Sequence, residues 1–193
     1  MRKKYDKTEI LEKGIQLFRE KSYHDTGIDD ILKTCQIPSG SFYNFFKNKE
    51  GFAVAALQQY NQRYIEYLDK ILNDTTYTPL ERLRNAYQGI MDENIENNCK
   101  IGCLLNGFTS EIATTSEAIN QQAIIDYQRN NRKLATVIHE GQNIGEIRKD
   151  YTAEELADYL INNAMGASTR MKAGLNRQPM DLFMRTAFEF LKA

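Results

Sequence analysis

Apolar residues recur at spacings of three and four along nearly the whole chain, and no segment alternates apolar with polar residues as a half-buried strand requires. This periodicity leaves an all-α fold of about nine helices as the expectation. In KTEILEKGIQLFREKSY, Ile10, Leu11, Ile15, Leu17 and Phe18 gather on one side, with Thr8 available as a cap. After the polar break HDTG, Ile28, Ile31, Leu32 and Cys35 mark a short second helix. Asp29 and Asp30 fall in its first turn, where the helix dipole favours anions. Pro38 is expected to end it, because proline disfavours the α conformation in the residue before it. Ser39 then stands where it can cap a third helix.

That third segment, IPSGSFYNFFKNKEGF, sets Ser-Gly-Ser directly before four aromatics in five residues and follows them with Lys-Asn-Lys-Glu. A buried helix has no use for the lysines, and a solvated face has none for the phenylalanines. A helix begun near Ser39 resolves the conflict. It puts Phe42 and Phe46 four apart on one face, positioned to pack against Leu17, Phe18, Ile31 and Leu32. The same winding sends Ser39, Ser41, Tyr43 and Asn44 outward, with Lys47 and Lys49 at the far end. Two short helices, a tight turn and a second helix that opens on small residues, Gly40 among them, make a helix-turn-helix. Small residues let the helix enter a major groove, Tyr43 can give its hydroxyl to a phosphate, and the lysines neutralise charge there.

The charge distribution permits such a contact. The chain of 193 residues has a net charge of only −1, but residues 1–50 hold ten Lys/Arg against eight Asp/Glu and the remainder fifteen against eighteen. Nucleic acid is therefore better accommodated by the first fifty residues than by the rest. No apolar run approaches a membrane span, and the start MRKKYDKTEI carries no signal core, so a cytoplasmic protein is expected. Three cysteines, Cys35, Cys99 and Cys103, are too few and too unevenly spaced for a disulfide framework, in keeping with a reducing compartment.

Residues 51–193 are expected to form a second helical module, joined to a first domain of residues 1–50 without a flexible linker. Phe52, Ala56, Leu57, Tyr60, Tyr64, Tyr67, Leu68 and Ile71 run as one long helix from Lys49 to the NDTTYTP break, which would couple the two modules mechanically. Another helix follows Pro79, and NCKIGCLLNGFTSEIATTS reads as a loop leading into a short helix. Further helices are expected over 117–141, over 152–174 with Thr152 and Glu155 at capping-box spacing, and over 179–191.

The stretch GIDDILKTCQIPSGSFYNFFKNKEGF resembles the DNA-binding region of the TetR family of bacterial transcriptional regulators, a helix-turn-helix ending in Tyr-x-x-Phe and then Lys-Glu. The resemblance covers residues 8–52. It places Thr26 and Gly27 at the start of the second helix, where that family usually has Thr or Ser, so that a phosphate contact from Gly27 would come from its backbone. Phe45 departs from the pattern, standing where many members have His or Tyr. The resemblance also implies that the larger half senses a small-molecule inducer and pairs its last two long helices with a second subunit. Ala164, Gly166, Ala167 and Ser168 provide small side chains mid-helix for a close approach, and ordinary intramolecular packing is the alternative use of them. The partners so implied are a double-stranded DNA operator, an inducer and a second copy of the chain, with no membrane.

Catalysis has little support. His24 and His139 lack cysteine or carboxylate neighbours at metal-ligand spacing, and no phosphate loop, Gly-x-Ser-x-Gly or zinc signature occurs. No metal, cofactor or enzymatic activity is expected. Cys103 is the one chemically suggestive residue. As a buried thiol it is a small hydrophobe; directly after Gly102 at the start of a helix, it could instead feel a dipole that raises its thiolate fraction. Gly-Cys-Leu with Glu111 eight residues after the cysteine resembles the TetR subgroup that contains the repressor of N-ethylmaleimide reductase. There the corresponding cysteine senses electrophiles and oxidants, and a nearby lysine corresponds to Lys172 here. Other members with the same Gly-Cys pair bind small aromatic molecules, which leaves a cavity lined by Tyr60, Tyr64, Tyr87, Phe108 and Tyr127 as the second candidate sensor.

Two functions of different class follow. One is a homodimeric repressor released from its operator by a small-molecule, electrophile or oxidant inducer. The other is a cytosolic thiol-redox or small-molecule-binding protein whose first fifty residues are a packed helical cap without DNA-binding activity.

Overall fold

A computed structural model describes residues 5–193; the MRKK opening of the charged start lies outside them. Among the described residues there are nine α-helices: α1 Lys7–Lys21, α2 Ile28–Cys35, α3 Ser39–Phe46, α4 Lys49–Leu72, α5 Pro79–Glu96, α6 Leu104–Ile112, α7 Glu117–Asn143, α8 Ala153–Gly174 and α9 Gln178–Leu191. The extended pairing is one isolated antiparallel bridge, Ile147 with Lys192. The periodicity therefore predicted the fold class correctly. No helix among the described residues is long and apolar enough to cross a membrane.

Three boundary expectations are corrected. Asp6, not Thr8, caps α1; its carboxylate accepts from the Thr8 amide at 2.8 Å, an anionic acceptor where the helix dipole favours one. Pro38, not Ser39, is the N-cap of α3, because its fixed φ of −66° and extended ψ of 149° aim its carbonyl at the Phe42 amide and push Ser39 into the first helical position. The second helix stops before the proline acts: Gln36 takes the left-handed conformation, φ 55° and ψ 44°, and the Ile37 amide folds back onto the Leu32 carbonyl. The capping boxes Thr78–Glu81 and Thr152–Glu155 open α5 and α8.

The helices pack as two compact units that do not follow chain order. One comprises the chain up to Arg63 together with Cys103–Asp126; the other comprises Tyr64–Gly102 and Tyr127–Ala193. Aromatic rings make the interior of the first. Phe42 and Phe52 are fully buried, and Phe46 lies 4.8 Å from Phe52 and 5.5 Å from Phe42 between ring centroids. Leu32, expected among their neighbours, is only half-buried. A Cβ on Gly14 would sit 2.2 Å from Phe52 Cζ, so glycine is what lets that ring pass α1. A Cβ on Gly51 would meet the Phe46 carbonyl oxygen at 2.4 Å. The short α3–α4 connection thus requires glycine, and Asn48 completes it by accepting the Gly51 amide at 2.7 Å. The interior of the second unit is built from the end of α4 together with α5, α7, α8 and α9; in it Tyr87 meets Phe183 and Phe188 edge-on, and Met171, Met180 and Met184 belong to the same cluster.

Candidate DNA-binding surface and sensor segment

The third helix divides as its sequence predicts. Phe42 and Phe46 are 0% and 4% exposed, while Ser39, Gly40, Tyr43, Asn44, Phe45 and Lys47 are exposed and Ser41 is half-exposed. The first turn has no side-chain cap, so the Ser39 and Gly40 amides point out of the helix end unclaimed by any side chain. An outward row of small residues and free helix-terminal donors, closed by a lysine, is chemically suited to a polyanion in a groove. Tyr43 is 49% exposed and packs edge-on to Phe42, which steadies the ring that carries its hydroxyl.

The other expected contact residues are more committed. Thr26 is fully buried, and its hydroxyl donates to the Ser22 carbonyl at 2.6 Å. The Gly27 amide donates to Asp30 at 3.0 Å in the capping box of α2. Lys49 lies with its ammonium 4.1 Å from the centre of the Tyr23 ring. Partial burial lowers its pKa, while Glu111 and Asp25 act to raise it. Tyr23 is itself shifted upward, first by burial and then by Glu50 and Glu111.

The expected sensor residues fall in both units. Cys103 is the N-cap of α6, with an extended φ of −70° and ψ of 123°, and its thiol is half-exposed and free. Cys35 differs from it. Buried, with its sulfur donating to the Ile10 carbonyl at 3.4 Å, Cys35 has a thiol pKa pushed up to about 11 by desolvation and is chemically quiet. Lys172 is half-buried, and its Cδ passes 3.5 Å from where a Cβ of Gly102 would stand. Tyr64, Tyr87 and Tyr127 belong to the second unit, Tyr60 and Phe108 to the first. Tyr60 receives the Arg19 guanidinium over its ring at 5.5 Å, and Phe108 packs edge-on against Phe18 at 5.1 Å. Tyr87 is 3% exposed; its hydroxyl has no hydrogen-bond partner among the described residues, and burial raises its pKa well above the usual phenol value.

Sequence reasoning did not single out Tyr23, and it weighed His24 only as a metal ligand. Only folding brings Glu111 to their backbone amides, at 2.9 and 2.6 Å, across separations of 88 and 87 residues.

Residues 10–56 match the family described as bacterial regulatory proteins, tetR family, and residues 79–187 match that described as tetracyclin repressor-like, C-terminal domain. The chain belongs to the TetR family. It is a DNA-binding transcriptional regulator with a ligand-binding C-terminal domain, and the resemblance seen in the sequence is correct. The chain is 34% identical over 182 residues to the HTH-type transcriptional repressor DhaR of Mycobacterium sp. strain GP1, covering 94% of this chain and 90% of the relative. Escherichia coli K12 NemR, an HTH-type transcriptional repressor, is 30% identical over 108 residues, covering 56% of this chain and 54% of the relative. Among solved TetR-family structures, a regulatory protein from Rhodobacter sphaeroides superposes with a TM-score of 0.90 at 28% identity, over 95% of this chain and 97% of that one.

Proposed function

We propose that this TetR-family protein is a cytoplasmic homodimeric repressor that reads a near-palindromic operator through α3 and leaves it when an inducer engages its C-terminal domain. One observation carries the DNA-binding part: α3 buries Phe42 and Phe46 while Ser39, Gly40, Ser41, Tyr43, Asn44 and Lys47 line its outer side. Ser41 and Asn44 read base edges; Tyr43, Lys47, Lys49 and the first-turn amides hold phosphates. Gly27 and Thr26 support α2 rather than contact DNA, since the Gly27 amide and the Thr26 hydroxyl are already bonded within the chain. Of the small residues expected for dimerisation, Gly166 is exposed and keeps that use open, while Ala167 and Ser168 are buried by packing within the chain. The sign of regulation follows that of the relative DhaR, which is named a repressor.

Selection on random duplexes tests this directly. The expected product is a two-fold site whose half-sites lie about 34 to 36 Å apart, or a multiple of a DNA turn, bound with a steep negative salt slope. A non-palindromic product, or binding by an isolated monomer, would sink the dimer.

Two inducer chemistries remain distinct. Cys103 is supported as an electrophile sensor by its half-exposed thiol at the start of α6. An aromatic ligand is supported by the buried, unbonded hydroxyl of Tyr87. Cys103→Ser separates them: it should abolish release by N-ethylmaleimide and leave basal DNA binding intact if the thiol is the sensor. Release persisting in that variant would leave the aromatic pocket as the sensor.

A further inference from the structure

Helix α6 grips the turn between α1 and α2 at two levels. The Glu111 carboxylate accepts from two consecutive backbone amides, Tyr23 to one oxygen at 2.9 Å and His24 to the other at 2.6 Å. One turn earlier on the same helix, Phe108 is 1% exposed and meets the Tyr23 ring edge-on, 5.8 Å between centroids. Tyr23 is thus held by its backbone and by its ring, and it is the ring on which the Lys49 ammonium rests. The Glu111 charge also acts on Lys49 through space. A lysine on a flexible stem contributes little to binding until it is oriented. Here an aromatic shelf orients it at the first residue of α4, and α6 fixes the shelf.

We propose that Glu111 is a positioning residue for DNA binding: by holding the Tyr23 and His24 amides it fixes the ring that presents Lys49 to a phosphate. The same grip makes the Lys49 contact sensitive to α6, because a shift of that helix withdraws both carboxylate oxygens together and frees the shelf. Since α6 begins at the Cys103 cap, eight residues before Glu111, a change at the thiol reaches Lys49 through two turns of one helix. The proposal rests on Lys49 being a phosphate contact, as set out above.

Glu111→Gln tests it. The amide is nearly the same size, but it accepts one of the two N–H groups and turns its own donor toward the other. Operator affinity is measured against salt concentration for the wild type, Glu111→Gln, Lys49→Ala and the double variant. The probes are the duplex the wild type selects from a random pool and a mixed-sequence duplex of equal length. Lys49→Ala is expected to reduce the salt slope of the bound dimer by about two, one phosphate contact for each subunit. Glu111→Gln should reduce it by a similar amount, and the double variant should lose nothing further. Tyr23→Leu, which removes the shelf but keeps both amides, should behave like Glu111→Gln and decides the matter if the glutamine variant fails to fold. A full salt slope in Glu111→Gln or Tyr23→Leu beside a reduced one in Lys49→Ala would overturn the proposal alone. So would affinity losses that simply add in the double variant, the mark of a generally loosened fold. An unchanged slope in Lys49→Ala would remove the phosphate contact itself, and the proposal with it.

Discussion

The two packed units fill their interiors differently. In the first, Phe18, Phe42, Phe46, Phe52 and Phe108 interlock with centroid separations between 4.8 and 5.8 Å, and Gly14 gives up its side chain so that Phe52 can pass. In the second, Tyr87, Phe183 and Phe188 share a mostly aliphatic core with Met91, Met171, Met180 and Met184, and polar atoms are left over: the Tyr87 hydroxyl and the Asn94 and Asn130 carbonyl oxygens are buried with no partner among the described residues. A ring cluster of this kind has few alternative packings. Four methionines and buried polar atoms without a partner leave the second interior less tightly specified. A surface that reads DNA needs one shape, and a sensor needs at least two. The candidate sensor residues fall in both units, Cys103 in the first and Tyr87 in the second, so the contrast is one of packing rather than of assigned role.

The contrast can be broken by mutation. Phe42→Ala should show the largest effect, costing about 3 to 5 kcal/mol of stability in urea unfolding and removing operator binding, because a fully buried ring leaves a cavity that a tight cluster cannot close. A cost below about 1 kcal/mol would mean that the first unit is as adaptable as the second. Gly14→Ala comes next. Its methyl would stand 2.2 Å from Phe52 Cζ and 2.6 Å from Cε1, and the ring is enclosed by Phe18, Phe42 and Phe46, so about 1 to 3 kcal/mol should be lost. A wild-type melting temperature in that variant would show that Phe52 can move.

The smallest expected effect has the opposite sign. Tyr87→Phe deletes a buried hydroxyl that makes no hydrogen bond among the described residues, so it should leave stability unchanged or raise it by about 1 kcal/mol. The same variant should weaken DNA release by an aromatic ligand that hydrogen-bonds that hydroxyl while preserving release by N-ethylmaleimide. Destabilisation of more than about 1 kcal/mol would mean that the hydroxyl is satisfied, and the two interiors would then be less different than their geometry indicates.

Much of this could be read along the chain. The spacing of Ile10, Leu11, Ile15 and Phe18, the Thr152–Glu155 pair, and the two-sided character of α3 are local signals, because a helix is closed by bonds between residues four apart. The caps of α1 and α3 were less legible, since Asp6 and Thr8, or Pro38 and Ser39, differ by a residue or two and the winner depends on backbone angles.

What the sequence by itself determined is the all-helical class, the helix-turn-helix with its buried and outward faces, and the place of Cys103 at a helix start. What only the tertiary structure decided is which of those helices share an interior. Residues 103–126 pack with the helix-turn-helix, Phe108 lies between Phe18 and Tyr23, and Glu111 closes on amides 87 and 88 residues away. Periodicity marks which face of a helix is buried but carries no label for the face it meets. That choice is made by shape and by the need of each buried donor to find an acceptor, and both are properties of the packed chain.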